Sequence, residues 1–190
     1  MRKLIFSVPI TLDGYIEGPH RELDWVIADD ELHDFYSDLL QTADLLLYGR
    51  VTYELMVNYW PNATSDPNAT DSMKRFANTM NPMRKIVYSK TLNQAGWNTQ
   101  VVGALDPKDI YAMKFQSGGN ILLSGGASLA STFFQHGLVD EYQPVVQPIA
   151  IGGGKRVFTN LNKNIKLDYQ WSRPFRSGAV AFCYHINGSV

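Results

Sequence analysis

Apolar and polar positions follow two rhythms along the chain. Short continuous apolar runs predict buried strands, and segments whose apolar residues return every three or four positions predict amphipathic helices. Lys3 to Ile10 is a run of branched and aromatic residues and predicts a first strand, followed by a loop from Thr11 to about Trp25. Leu32, Phe35, Tyr36, Leu39 and Leu40 stand at helical spacing behind Asp29 or Asp30 as N-cap. Ala43 to Tyr48 reads as a second strand that ends at Gly49-Arg50-Val51-Thr52, where Tyr53, Leu55 and Met56 resume the helical rhythm. The polar stretch from Asn58 to Asp71 predicts a surface excursion, Met73 to Met80 a short helix, Arg84 to Ser89 a third strand and Val101-Val102 a minor one. Asp106-Pro107-Lys108-Asp109 supplies a cap, a proline at the first helical position and an acid at the third. Ile121 to Leu123 predicts a strand that turns at Gly125-Gly126 into a helix carrying Leu129, Phe133 and Phe134, closed by Gly137. Val139 to Ile149, Ile165 to Trp171 and Ala179 to Ile186 are strand-like with no helical pattern between them. Alternation followed by consecutive strands predicts an α/β fold, a mostly parallel sheet finished by an antiparallel hairpin, in a single domain over residues 1–190.

Charge and cysteine content narrow the function classes. The 17 basic and 18 acidic residues nearly cancel and form no long run of one sign, which argues against a nucleic-acid footprint or an anionic-membrane surface. A small-molecule partner is the expectation. Cys183 is the one cysteine and stands in an apolar run, so it predicts a buried thiol and excludes an intramolecular disulfide or a Cys-rich metal site. The basic start at Arg2 and Lys3 leads into an apolar run of strand length without a small-residue cleavage site, and no segment has about 20 consecutive apolar residues; a cytoplasmic protein is expected.

Common nucleotide signatures fail on spacing. Gly152-Gly153-Gly154-Lys155 lacks a P-loop's following hydroxyl, since Arg156 stands there, and its first glycine, replaced by Ile149. No Gly-x-Gly-x-x-Gly follows the first strand, and His20, His33, His136 and His185 have no metal-ligand spacing. Three turns remain, each after an apolar strand and each suited to phosphate. Gly49-Arg50-Val51-Thr52 offers amides, a guanidinium and a hydroxyl at a helix start; Ser89-Lys90-Thr91 offers hydroxyls and an ammonium; Gly125-Gly126-Ala127-Ser128 permits close backbone approach. At the carboxyl ends of strands in one open sheet they would line one crevice, which favours a phosphorylated dinucleotide as ligand.

Thr11-Leu12-Asp13-Gly14-Tyr15-Ile16, Glu22-Leu23-Asp24-Trp25, Leu47 to Glu54, Ile86 to Lys90, Leu123 to Gly126, Val139 to Tyr142 and Ile151 to Lys155 occur in an order that resembles the dihydrofolate reductase-like family. That family includes the C-terminal reductase domain of the bifunctional riboflavin-biosynthesis deaminase/reductase. The resemblance implies a three-layer dihydrofolate reductase-like fold, NADPH as cofactor and a homodimer with the C-terminal strands as interface. It implies that Gly49, Arg50, Val51 and Thr52, with Ser89 and Lys90, hold the 2′-phosphate side, and that Ser124, Gly125, Gly126, Ala127, Ser128 and Leu129 hold the pyrophosphate around a cis Gly125-Gly126 peptide. Nicotinamide is implied near Val8, Pro9 and Leu12, beside a mobile loop through Ile16.

The departures bear on substrate. Riboflavin-pathway reductases carry an acid where this chain has Ser124, a basic residue where it has Ser7, and an Asn-Pro motif where it has Glu54-Leu55-Met56. Dihydrofolate reductases keep a catalytic carboxylate on the first helix; Asp30 and Asp34 are the candidates, although an ungapped count back from Gly49 reaches His33. Trp25, Phe35 and Tyr53 are candidates to stack on a ring. The reading is an NADPH-dependent reductase transferring hydride to a C=N or carbonyl of a small pterin- or pyrimidine-like heterocycle. Reduction of a ribosylaminopyrimidine of riboflavin biosynthesis and non-catalytic sensing of NADPH or a pteridine are the alternatives.

Overall fold

The structure, a computed structural model, describes residues 1–159, 161 and 164–189. In chain order the elements are β1 (Leu4–Thr11), β2 (Tyr15–Glu17), α1 (Asp30–Gln41), β3 (Ala43–Gly49), α2 (Arg50–Val57), a 3₁₀ turn (Trp60–Ser65), α3 (Asp71–Met80), β4 (Arg84–Tyr88), β5 (Thr99–Val102), α4 (Pro107–Phe115), β6 (Asn120–Leu123), α5 (Ala127–Gln135), β7 (Glu141–Gln147), β8 (Lys155–Arg156), β9 (Ile165–Pro174) and β10 (Val180–Ser189). The chain packs as two compact units.

The first unit comprises Met1–Arg2 and Ala28–Ser124. Its strands lie in the order β5-β4-β3-β6, all parallel, so their carboxyl ends share one edge. Leu46, Leu47, Tyr48, Ile86, Val87 and Ile121 are buried along them, the two-sided burial that continuous apolar runs require in a parallel sheet. Asp29, not Asp30, caps α1, accepting from the Leu32 amide at 2.8 Å. The stretch read as a surface excursion is partly core: Trp60 packs edge-on to Phe76 at 4.6 Å and Ala63 is fully buried.

The second unit comprises Lys3–Ile27 and Gly125–Val190, ordered β1-β7-β10-β9 with β1 and β7 parallel and β7, β10 and β9 antiparallel. The fold is therefore α/β, with a mostly parallel sheet and an antiparallel C-terminal hairpin. Phe6 stacks on Tyr142 and meets Phe134 edge-on, each at 5.7 Å, at the centre of this unit's core. Cys183 is buried, and its thiol is pushed up to about 11 by burial and by the Glu141 carboxylate, so it is an unreactive packing residue.

The expected loop from Thr11 to Trp25 contains β2, which pairs antiparallel with β8. The glycine run before β8 makes that pairing possible. At Gly154 φ is +131°, and an added Cβ would lie 2.0 Å from the Glu17 carbonyl oxygen. Lys155 then reaches back to Glu17 at 2.5 Å.

Candidate active site

The first two turns are neighbours within the first unit. Gly49 is in register with Tyr88 across β3 and β4, which places Arg50 and Ser89 at adjacent strand ends. Leu47 is in register with Leu123, and the Ser124 amide donates to the Leu47 carbonyl at 2.9 Å, so Ser124 ends β6 on the same edge. Arg50 opens α2 with a side chain 42% exposed, paired with Glu54 one helical turn on. Val51 is exposed and Thr52 half-buried. The Ser89 hydroxyl accepts from the Thr91 and Leu92 amides at 3.2 and 2.9 Å, which folds the turn back and leaves the Lys90 side chain exposed.

In the second unit Gly125 and Ala127 are buried, Gly126 and Leu129 half-buried and Ser128 exposed, with Gly126 as N-cap of α5. The cis Gly125-Gly126 peptide implied by resemblance is not found: no peptide bond among the described residues is cis. Gly126 adopts φ −68° and ψ 173°, an extended cap conformation that leads into the helix directly.

Helix caps divide into two kinds. Asp29, Thr70 and Asp106 place a side-chain oxygen on an early amide of α1, α3 and α4. Gly49 and Gly126, at the starts of α2 and α5, bring no side chain, so the first-turn amides of these two helices are directed toward whatever occupies the turn. These are the helices that follow the two glycine turns.

Val8 and Pro9 are half-buried on β1, Leu12 is 72% exposed, and Ile16 is buried on β2. The loop between them, mobile by resemblance, is anchored here. Asp13 accepts from the Thr11 hydroxyl and from the Ile151 and Gly152 amides, at 2.6, 3.3 and 2.8 Å, and the Thr11 hydroxyl chiefly, helped by these amides, holds its carboxyl below the usual range. Leu12 donates its amide to the Ile149 carbonyl at 2.8 Å.

The helix carboxylates have partners of another sort. Asp30 accepts from the Thr70 hydroxyl, and Asp34 pairs with Arg75 at 3.1 Å; Arg75 also holds Asp38 at 2.6 Å. Both candidates thus bind α1 to residues of or next to α3. His33 places Nδ1 2.8 Å from the Asp29 carbonyl and packs beside Trp60 and Phe76. Phe35 is buried against Tyr36, and Tyr53 is buried with its hydroxyl donating to the Gly96 carbonyl at 3.2 Å. Of the three ring-stacking candidates, Trp25 lines a cavity. That cavity, of about 390 Å³, lies wholly in the second unit between residues 18–25 and 149–151. Its carboxylates, Glu22 and Asp24, carry no site signal in the sequence, because their meeting with Ile149 and Ile151 depends on the anchored loop.

Side-chain-free helix starts after glycine turns at the ends of parallel strands suit a phosphate-bearing ligand. The chain belongs to the RibD C-terminal domain family, whose model matches residues 2–181 and so runs through both units. It is 35% identical over 187 residues to YyaP of Bacillus subtilis, covering 98% of this chain and 96% of that protein. Among solved structures, it is similar to a putative riboflavin biosynthesis protein from Shewanella sp. PV-4, with a TM-score of 0.76 at 20% identity and 98% and 99% of the two chains covered. The dihydrofolate reductase of Enterococcus faecalis, complexed with NADP(H), shares the fold with a TM-score of 0.65 at 15% identity over 98% and 97% of the chains. No helix among the described residues is long and apolar enough to cross a membrane.

Proposed function

We propose that this protein is an NADPH-dependent reductase that delivers hydride to a C=N or carbonyl of a flat nitrogen heterocycle of the pterin or pyrimidine kind. The observation that carries the reading is the pairing of glycine N-caps with α2 and α5, where first-turn amides and the positive helix end favour phosphate. Arg50, Thr52, Ser89 and Lys90 take the phosphorylated ribose. Gly125, Gly126, Ala127, Ser128 and Leu129 take the pyrophosphate. Val8, Pro9, Leu12 and Ile16 form the apolar bed for the nicotinamide, which when bound supplies the hydride. Ser7 donates to the Gln143 carbonyl at 3.0 Å and Ser124 carries no charge, so these two positions offer no ionic contact to a phosphoribosyl substrate. This favours a substrate other than the riboflavin intermediate.

NADPH is expected to raise the melting temperature at concentrations where NADH does not, because the dianionic 2′-phosphate meets Arg50 and Lys90. A thermal-shift titration with both nucleotides checks this, and no shift with NADPH would overturn the reading. A homodimer through the outer face of β9 and β10, where Tyr169 and Trp171 are exposed, belongs to the same proposal, and a monomeric mass in light scattering would overturn that part.

A further inference from the structure

Residues 89–98 run from the end of β4 to the start of β5 without helix or strand, and Ser89 and Lys90 open this loop. Each end of it is held. The Ser89 amide donates to the Val102 carbonyl at 2.9 Å, and the Ser89 hydroxyl accepts from the Thr91 and Leu92 amides. At the far end the Trp97 indole donates to Asn81 Oδ1 at 2.9 Å, and the Lys85 amide donates to the Asn98 carbonyl at 2.9 Å. Asn93, Gln94 and Gly96, between these anchors, are exposed. The anchors tie the loop to β4, β5 and the end of α3, and none of them ties it to α2.

α2 reaches the loop through Tyr53. This residue is 4% exposed, its hydroxyl donates to the Gly96 carbonyl at 3.2 Å, and its ring lies 6.5 Å from that of Trp97. Tyr53 stands in the same helical turn as Arg50 and directly after Thr52. The hydroxyl therefore joins the helix start that carries Arg50 and Thr52 to the loop that carries Ser89 and Lys90. A phosphate held by cations from two separate elements is bound well where their spacing is set beforehand, because ordering them at the moment of binding costs affinity. We infer that Tyr53 is a positioning residue for nucleotide selection: its bond to Gly96 holds the Ser89-Lys90 turn against the start of α2, so that one 2′-phosphate meets cations from both. The buried ring itself stacks on no ligand. The inference deepens the reductase reading and rests on it for the identity of the phosphate.

The test compares the wild type with Tyr53→Phe, which keeps the ring and removes the donor. Gly96 is exposed, so its carbonyl turns to water, and the variant should melt within about 4 °C of the wild type. In the free protein the amides of residues 90–96 are expected to exchange with solvent at least about threefold faster, while those of β4 keep their protection. Calorimetric titration should show NADPH weakened about fivefold and NADH by less than about twofold. Made beside Lys90→Ala, the same substitution should cost NADPH less than about twofold, because the turn then carries no cation to place. Unchanged exchange in the loop, equal losses for the two nucleotides, or a loss that persists in full without Lys90 would each overturn the inference and leave the NADPH reading standing. A wild type that binds the two nucleotides equally would overturn the NADPH reading, and the positioning role with it.

Discussion

Lys85→Met is expected to lower the unfolding free energy by about 3 kcal/mol and the melting temperature by roughly 10 °C. Lys85 is fully buried on β4, and its Nζ donates to the carbonyls of Met80, Asn81 and Met83 at 2.8, 3.2 and 2.8 Å. It thus satisfies orphan carbonyls where α3 ends, with the cation at the negative end of the helix. The same ammonium lies 4.2 Å from the centre of the Trp97 ring. Trp97 and Asn98 both hold positive φ, 59° and 53°, and the contacts from Lys85 and from Asn81, whose side chain accepts the Trp97 indole N–H at 2.9 Å, fix that pair.

Methionine fills the volume but donates nothing, so the Asn81 and Met83 carbonyls lose this donor, the Met80 carbonyl keeps only the Met83 amide, and the strained pair loses its anchor. The opposing effect is the desolvation of a charge, which pushes the Lys85 ammonium down to about 8. The lowered value means that burial costs the ammonium more than its contacts return, so the expected loss in Lys85→Met rests on the carbonyls that lose their donor and on the loosened Trp97-Asn98 pair. The lowered value also fixes a pH signature. Between about 8 and the unfolded value of 10.5 the native state binds fewer protons than the unfolded chain at this site, so its contribution to stability rises with pH across that window. Denaturant unfolding of both proteins at pH 7 and at successive steps to pH 10 should show a wild-type gain that Lys85→Met lacks. A variant as stable as the wild type at pH 7 would mean that desolvation is the larger effect.

The long-period features of this fold were legible because burial writes them into the sequence. Leu45, Leu46 and Leu47 are buried in succession on β3, and Leu32, Phe35 and Leu40 lie on one side of α1, so run and stripe could be told apart. Short or edge elements were not. β2 and β8 have three and two residues, too few to show a period, and the glycines before β8 looked like a failed P-loop until Gly154 met the Glu17 carbonyl. β5 starts at Thr99, ahead of Val101, because the edge strand keeps polar residues that carry no apolar signal. The site divided along the same line. Turns that follow strands were visible from composition, whereas the choice among carboxylates depends on where α3 lies: Asp30, Asp34 and Asp24 are alike in sequence, and Thr70 and Arg75 distinguish the first two. The role of Lys85 carries no signal in the sequence, since the carbonyls it serves belong to another element's end.

Arg50→Ala is expected to weaken NADPH by about 30-fold and NADH by less than about threefold, so that discrimination between the two nucleotides nearly disappears. In the free protein Arg50 Nη1 contacts both carboxylate oxygens of Glu54, at 2.9 and 3.0 Å, and one must ask whether that pair withholds the guanidinium from a phosphate. The side chains are 42% and 44% exposed, and an exposed pair at this spacing is worth only about 0.3–0.5 kcal/mol. A charge-assisted contact to a phosphate is worth about 1.5–3 kcal/mol, so the phosphate takes Arg50 and Glu54 is displaced. Removing the competitor alone should therefore act in the other direction: Glu54→Gln is expected to strengthen NADPH binding about twofold and leave NADH unchanged. Dissociation constants for both nucleotides with the two variants, at low and at physiological salt, decide the matter, because contacts at an exposed guanidinium weaken with ionic strength. Equal losses of NADPH and NADH in Arg50→Ala would remove Arg50 from the 2′-phosphate and leave the role to Lys90 on the neighbouring strand end.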